Sequence, residues 1–260
     1  MTAQAINDNL VLISGASATG KSASFRSLKN PEGVVYLGCE AGKKLPFKNN
    51  FATYTITDPY QVWELFDVLA VKGNKIKHPQ LNVEVEVHTV IIDSLTFLMD
   101  MFESTHVLGS ADTMRGWSNY QQFFKTLMQD KVAKCTCNVL MTAHTLTVLN
   151  ENEMAMEVKV PIKGALKNNG AESYFSCVVS TKKVPIKRLE PYKNDHLNIT
   201  EDDEIVGYKH VYQTRLTKDT VNERIRNPMG MYALSETFID NDAQYLIDRL
   251  GDFYNTKDQQ

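Results

Sequence analysis

The chain has 260 residues, 43% of them hydrophobic, with 28 lysines and arginines against 31 acids for a net charge of −3. That length buries one substantial core, and the near-neutral balance excludes the global positive field of a dedicated duplex-DNA binder. No apolar run approaches the roughly 18–20 residues of a membrane span, and the opening MTAQAINDNL has no basic flank leading into an apolar stretch. Cys39, Cys135, Cys137 and Cys177 show neither CxxC spacing nor the density of a disulfide scaffold, so a reducing cytoplasm is the expected setting.

In chain order, NLVLIS (9–14) is a short apolar run that feeds a glycine-bearing loop, and residues 21–28 read as a helix. GVVYLG (33–38), bounded by Pro31, reads as a second buried strand of a parallel sheet. Asp58 and Pro59 start a helix over 59–71, with Val62, Leu65, Phe66 and Leu69 on one face. A polar connection, KGNKIKHPQ, precedes alternating Val83, Val85 and Val87 and then the continuous run 89–92, ending at Asp93. Two helices follow, one within 95–108 and one carrying Tyr120, Phe123, Phe124, Leu127 and Met128, with GSADTMRG between them. NVLMTA (138–143) is another buried strand, and 151–161, 173–184 and 207–216 have strand-like alternation. The acidic stretch DHLNITEDDE reads as an exposed loop. With no repeat or linker, the order predicts one domain over 1–260, a three-layer α/β sandwich with a mostly parallel sheet and C-terminal antiparallel strands.

The strongest motif is Gly15-Ala16-Ser17-Ala18-Thr19-Gly20-Lys21-Ser22, which matches GxxxxGK[ST] between a predicted strand and a predicted helix. Its chemistry is anion capture: backbone N–H groups curl around a phosphate, Lys21 adds a mobile charge, and the Ser22 hydroxyl takes one position on an octahedral magnesium ion. A P-loop needs a second element, an apolar strand ending in an acid that reaches the metal, and Val90-Ile91-Ile92-Asp93 supplies it. The other reading of Asp93 is a surface acid that caps the next helix. ATP with Mg2+ is the expected ligand, since the guanine-recognising NKxD motif is absent. Ser94 stands where AAA-type ATPases carry a glutamate after the aspartate, so the water-activating base must come from elsewhere. Glu40, just beyond GVVYLG, falls at the same sheet edge and suits that task.

The motifs LISGASATGKS, YLGCEAG, VIIDS and LMTAHT, over the first 145 residues, resemble the RecA-like ATPases and, within them, the phage single-strand annealing ATPases of the Sak group. The resemblance implies that Glu40 is the catalytic base, that His144 senses the γ-phosphate and that cations near TKDTVNERIRNP act in trans, with Lys218, Arg224 and Arg226 as candidates. It also places a DNA-binding loop between His144 and Tyr174, where Lys159, Lys163 and Lys167 are the candidates. These three open a basic segment over 159–193, which holds eight basic residues against two acids. For each of these groups a bland alternative stays open: a solvated acid, a hydrogen-bonded core histidine, a solvated basic turn or loop. The first strand begins near residue 9, so a filament joined through an N-terminal helix and strand, as in RecA recombinases, is not expected. The resemblance implies an ATPase that binds single-stranded DNA and assists annealing or strand pairing in phage recombination or replication, in the host cytoplasm. A homo-oligomer and single-strand-binding or replication proteins are the expected partners. Two alternatives remain: a nucleotide-gated, helicase-loader-like switch, and a P-loop small-molecule kinase.

Overall fold

The computed structural model describes residues 7, 9–151 and 154–255. Most of the opening MTAQAINDNL and residues 152–153 of the strand expected over 151–161 lie outside them. Its centre is an eight-stranded sheet in the order β12-β11-β10-β1-β7-β6-β2-β3. The strands are β1 (Leu10–Gly15), β2 (Val34–Gly38), β3 (Ala52–Thr55), β6 (Thr89–Asp93), β7 (Asn138–His144), β10 (Cys177–Pro185), β11 (Tyr208–Gln213) and β12 (Phe238–Asp240). β10 to β3 are mutually parallel, while β11 and β12 run antiparallel at one edge. This is the three-layer α/β architecture expected. Two small hairpins stand apart: β4 (Lys75–Lys77) with β5 (Glu84–Glu86), and β8 (Leu146–Asn150) with β9 (Ala155–Lys159).

The continuous apolar strands serve both faces of the sheet, because successive side chains alternate. Leu10 and Leu12 of β1 face the layer formed by α1 (Tyr60–Lys72), α2 (Leu95–Phe102) and α3 (Thr113–Thr126). Val11 and Ile13 face Phe25 and Leu28 after the P-loop, with Leu246 and Leu250 of the C-terminal helix on that side. Short helices α4 (Leu166–Asn169), α5 (Ile186–Leu189) and α6 (Glu201–Val206) decorate the connections before that helix, α7 (Ala243–Asn255). Asp58 accepts from the Tyr60 amide at 2.8 Å to start α1, and Gly73, at φ +58°, ends it. Trp63 of α1 stacks on Phe123 of α3 with ring centroids 5.0 Å apart, closing the helical layer over the sheet.

Three expectations are corrected. The segment after the P-loop is a six-residue 3₁₀ turn, Ser22–Ser27, rather than an α-helix. Its serines explain this: Ser24 donates to the Lys21 carbonyl at 2.6 Å and Ser27 to the Ser24 carbonyl at 3.1 Å, drawing the backbone into i to i+3 spacing until Leu28 turns extended. The acidic stretch is not all loop, since Thr200 and Asp203 form a reciprocal cap that starts α6. The polar connection after α1 contributes β4, whose Ile76 is buried between two exposed lysines.

Candidate active site

Parallel strands bring their C-terminal ends to one edge, and the register fixes what meets there. Gly15 pairs with His144, and Gly38 pairs with Asp93. β7 lies between the P-loop strand and β6, so it touches both halves of the site. Thr145 donates its amide to the Gly15 carbonyl at 3.2 Å, and the Thr142 hydroxyl donates to Asp93 Oδ1.

The P-loop is buttressed by the far end of the chain. Thr19 Oγ1 lies 2.6 Å from Thr181 Oγ1 of β10, His210 Nδ1 of β11 lies 2.9 Å from the Thr19 carbonyl, and Asn241 donates to the Gly20 carbonyl at 2.9 Å. A Cβ on Gly15 would come within 2.3 Å of Thr181 Oγ1, and one on Gly20, at φ +100°, within 2.5 Å of Asn241 Nδ2. The motif's two glycines are therefore required by space as well as by backbone angle.

Lys21 is buried and turned onto the loop, donating to the Gly15 carbonyl at 3.0 Å and the Ala16 carbonyl at 2.8 Å. Burial is the main influence on its ammonium and lowers its pKa to about 8, although the negative fields of Asp93 and Glu40 oppose the fall. Asp93 is buried and accepts from the Tyr36 hydroxyl at 2.9 Å as well as from Thr142. The helix after it is capped by Ser94, which accepts from the Phe97 amide, so the surface-cap reading of Asp93 is corrected.

Glu40 stands across the same cleft, with a side chain 12% exposed. Its Oε2 accepts from Lys43 Nζ at 2.7 Å and its Oε1 lies 3.3 Å from His144 Nε2. Burial pushes the carboxyl pKa up, but the bonds from Lys43 and His144 together outweigh it and hold the group below its ordinary value. Glu40 is thus neither a free solvated acid nor shielded from the nucleotide side. His144 is also fixed by its own backbone, whose amide donates to Thr96 Oγ1 at 3.0 Å, and by the edge of Phe97. The cleft that Ser17, Ala18, Gly20, Lys21 and Ser22 share with Glu40 and His144 measures about 230 Å3. It carries Lys43, Lys44 and His210 as further basic groups against the one carboxylate. This lining suits a polyphosphate; Ser22 lines the cleft, whereas Asp93, the other hard-oxygen donor of the kind magnesium takes, is buried with its two oxygens bonded to Tyr36 and Thr142.

The other candidates fall elsewhere. Lys218, Arg224 and Arg226 do not line this cleft. Arg224 is engaged within the chain, bonding Glu157 through Nε at 2.9 Å and through Nη2, and Glu172 through Nη1 at 3.3 Å. Glu172 is buried and also accepts from the Val160 amide at 2.7 Å, so Arg224 neutralises an interior charge. Lys159 pairs with Glu157 at 3.1 Å and Lys163 with Glu103 at 2.5 Å, while Lys182, farther along the basic segment, pairs with Glu223 at 2.5 Å. With Arg188 3.8 Å from Asp219, four of the eight cations counted along 159–193 meet an acid from outside that segment. Lys167 is exposed and has no ion-pair partner among the described residues.

Three supports of the site escape sequence reasoning: the Tyr36 and Thr142 hydroxyls on Asp93, the Lys43 clamp on Glu40, and the brace of Thr181, His210 and Asn241. For Thr142 a signal existed, a polar residue two before His144 inside an apolar run, which places both on one face of the strand. The brace joins residues more than 160 positions apart, and nothing local announces it.

A family model described as "AAA domain" matches residues 7–207, more than three quarters of the chain. The chain belongs to the AAA domain family. That membership supports a nucleotide-binding, P-loop ATPase fold. This AAA domain nonetheless has Ser94 after Asp93, and the carboxylate facing the P-loop comes from Glu40 on β2's far end. His210 and Asn241, which hold the P-loop, lie beyond the matched span. No curated protein matches the chain. Among the described residues no helix is long and apolar enough to cross a membrane.

Proposed function

We propose that the chain hydrolyses ATP with magnesium, using Glu40 to activate the attacking water, and that single-stranded DNA binding accompanies this activity in annealing or strand pairing during phage recombination or replication. The observation that carries the hydrolytic part is the opposition of Glu40 and Lys21 across one cleft, with His144 hydrogen-bonded to the carboxylate. Lys21 and the P-loop amides would hold the phosphates and Ser22 and Asp93 the magnesium ion, which would supply charge neutralisation to the triphosphate. Glu40, kept ionised by Lys43 and His144, is a base at neutral pH, and the proton it accepts from water resides on its carboxyl. The DNA and phage parts are supported by the likeness of LISGASATGKS, YLGCEAG, VIIDS and LMTAHT to the Sak-group annealing ATPases.

The clamp on Glu40 also favours a second reading, a nucleotide-gated replication accessory that turns over slowly until a partner releases the carboxylate. Steady-state ATP hydrolysis, with and without single-stranded DNA, in wild type and Glu40→Gln tests the first reading. Stimulation by DNA that disappears in the variant is expected, with a loss of about 10²–10⁴-fold in turnover and with ATP binding retained. Equal hydrolysis in both proteins under both conditions sinks the mechanism.

A further inference from the structure

The loop that follows Glu40 forms one wall of a second cavity, about 800 Å3, over the β2–β3 edge of the sheet. Its size falls in the roughly 300–1,000 Å3 range of ligand sites. Lys43, Lys44 and Lys48 line it and no carboxylate does. Lys44 and Lys48 are exposed, and neither has an ion-pair partner among the described residues. They differ in this from Lys159, Lys163, Lys182 and Arg224, whose charges are already met by Glu157, Glu103, Glu223 and Glu172. The walls are aromatic: Phe47 and Tyr54 are half-buried. The frame is fixed, since the buried His78 bonds the Asn50 carbonyl at 2.9 Å and the Gln80 side chain pairs with both the amide and the carbonyl of Thr53.

Uncompensated cations beside partly accessible aromatic rings are what a nucleotide unit requires, the phosphate taking the charge and the base stacking on the ring. Lys43 and Lys44 also line the ATP cleft, so the two cavities share a wall. Lys43 is the residue that holds Glu40, and its side chain is 63% exposed. We propose that this cavity binds a nucleotide unit of a single strand, with the base against Tyr54 or Phe47 and the phosphates on Lys44 and Lys48. A phosphate there competes with Glu40 for Lys43, so occupancy frees the carboxylate and couples the strand to hydrolysis. The coupling rests on the reading of Glu40 as the base; the binding does not.

Fluorescence anisotropy of a labelled oligothymidylate, measured without ATP on the full chain, tests the binding. Wild type is compared with Lys48→Glu, Tyr54→Leu and, as a control on the other candidate surface, Lys167→Glu, with thermal melting to report folding. Tyr54→Leu keeps apolar bulk in the wall, and Lys48 is exposed, so the second variant reports even if the first does not fold. Stacking measured by substitution predicts a loss of about 5-fold or more for Tyr54→Leu. Each phosphate contact removed lowers the salt slope on a single strand by about 0.7, so Lys48→Glu weakens binding and flattens its salt dependence. Lys167→Glu is expected to stay within about twofold of wild type, as surface charges outside a site do. Free 5′-thymidylate as competitor separates the sources: a strand bound far more tightly than the mononucleotide identifies the polymer as occupant, and equal affinity identifies the mononucleotide in the same site. Binding of both that is unchanged by Lys48→Glu and Tyr54→Leu overturns the site, as does absence of binding by wild type.

For the coupling, Lys43→Ala is expected to raise basal hydrolysis and abolish stimulation by the strand; normal stimulation in that variant overturns it. If Lys48→Glu loses the strand while Glu40→Gln hydrolyses normally, the site stands and the hydrolytic reading falls. If Lys48→Glu and Tyr54→Leu bind normally while Glu40→Gln loses stimulated hydrolysis, the reverse holds.

Discussion

Nucleotide affinity should fall with rising pH well before an ordinary lysine would titrate. Lys21 is buried against the P-loop carbonyls, and desolvation brings its pKa to about 8 despite the opposing fields of Asp93 and Glu40. Only the ammonium form gains from a polyanion, so the apparent dissociation constant scales with one plus ten raised to the difference between pH and pKa. That factor is about 1.1 at pH 7, about 2 at pH 8 and about 11 at pH 9, a tenfold loss worth about 1.4 kcal/mol. Isothermal titration calorimetry of ATP with magnesium from pH 6.5 to 9.5, in two buffers of different ionisation enthalpy, measures both the loss and the proton uptake, about half a proton at pH 8. The sign for the free protein is opposite. Because the native pKa lies below the unfolded one, the unfolded chain holds more protons between about pH 8 and 10.4, and stability attributable to Lys21 rises across that window. Relative to Lys21→Met, wild type should therefore gain in melting temperature there. Affinity that is flat to pH 9.5, with no proton uptake, would refute the reasoning.

Three further outcomes follow from the packing and the clamp. Gly116→Ala should gain about 1 kcal/mol by helix propensity, yet its Cβ would sit 2.9 Å from Val107 Cα and 3.0 Å from the His106 carbonyl. The expected result is instead a net loss of about 1–3 kcal/mol in urea denaturation, and a gain would show that α3 can shift away. Arg224→Ala strands the buried Glu172 and should cost about 3 kcal/mol in stability, with turnover per folded molecule little changed. A selective loss of turnover in a stable Arg224→Ala protein would instead support the trans-acting role. Removing the bonds that lower the Glu40 pKa, by Lys43→Ala with His144→Ala, should move the acid limb of the hydrolysis profile to higher pH, because the ionised carboxylate is the active form. An unmoved limb assigns it to another group.

Much of the site was legible because its parts sit at places that sequence marks. The P-loop is contiguous, since one stretch of backbone supplies the amides, and Glu40, Asp93 and His144 each stand where an apolar run stops. What sequence concealed was the second partner of each group. Tyr36 lies inside GVVYLG, indistinguishable there from a core aromatic, and only the β2–β6 register sets it beside Asp93. Charge counting along 159–193 suggested a free basic surface, but Glu103 and Glu223 reach it from other elements. The fold shows the same division. Buried strands such as β1, β6 and β7 were clear from composition, whereas β3 has only four residues, two of them threonines, and no apolar alternation to mark it. α6 was hidden by its own acidity, which looks solvated until the Thr200 cap is recognised as a helix start.

The position of β7 ties the site to a surface. The hairpin of β8 and β9 leaves β7 one residue after His144, and each of its strands has five residues, so it extends about 17 Å from Thr145. Its second strand is held on the flank, the Val158 amide donating to the Asn222 carbonyl at 3.0 Å and Glu157 accepting from Arg224. Leu149 and Met156, an exposed cross-strand pair, stand toward the end away from His144. The arm that begins beside the P-loop is thereby braced by the segment after β11 and presents an apolar pair to whatever rests on it.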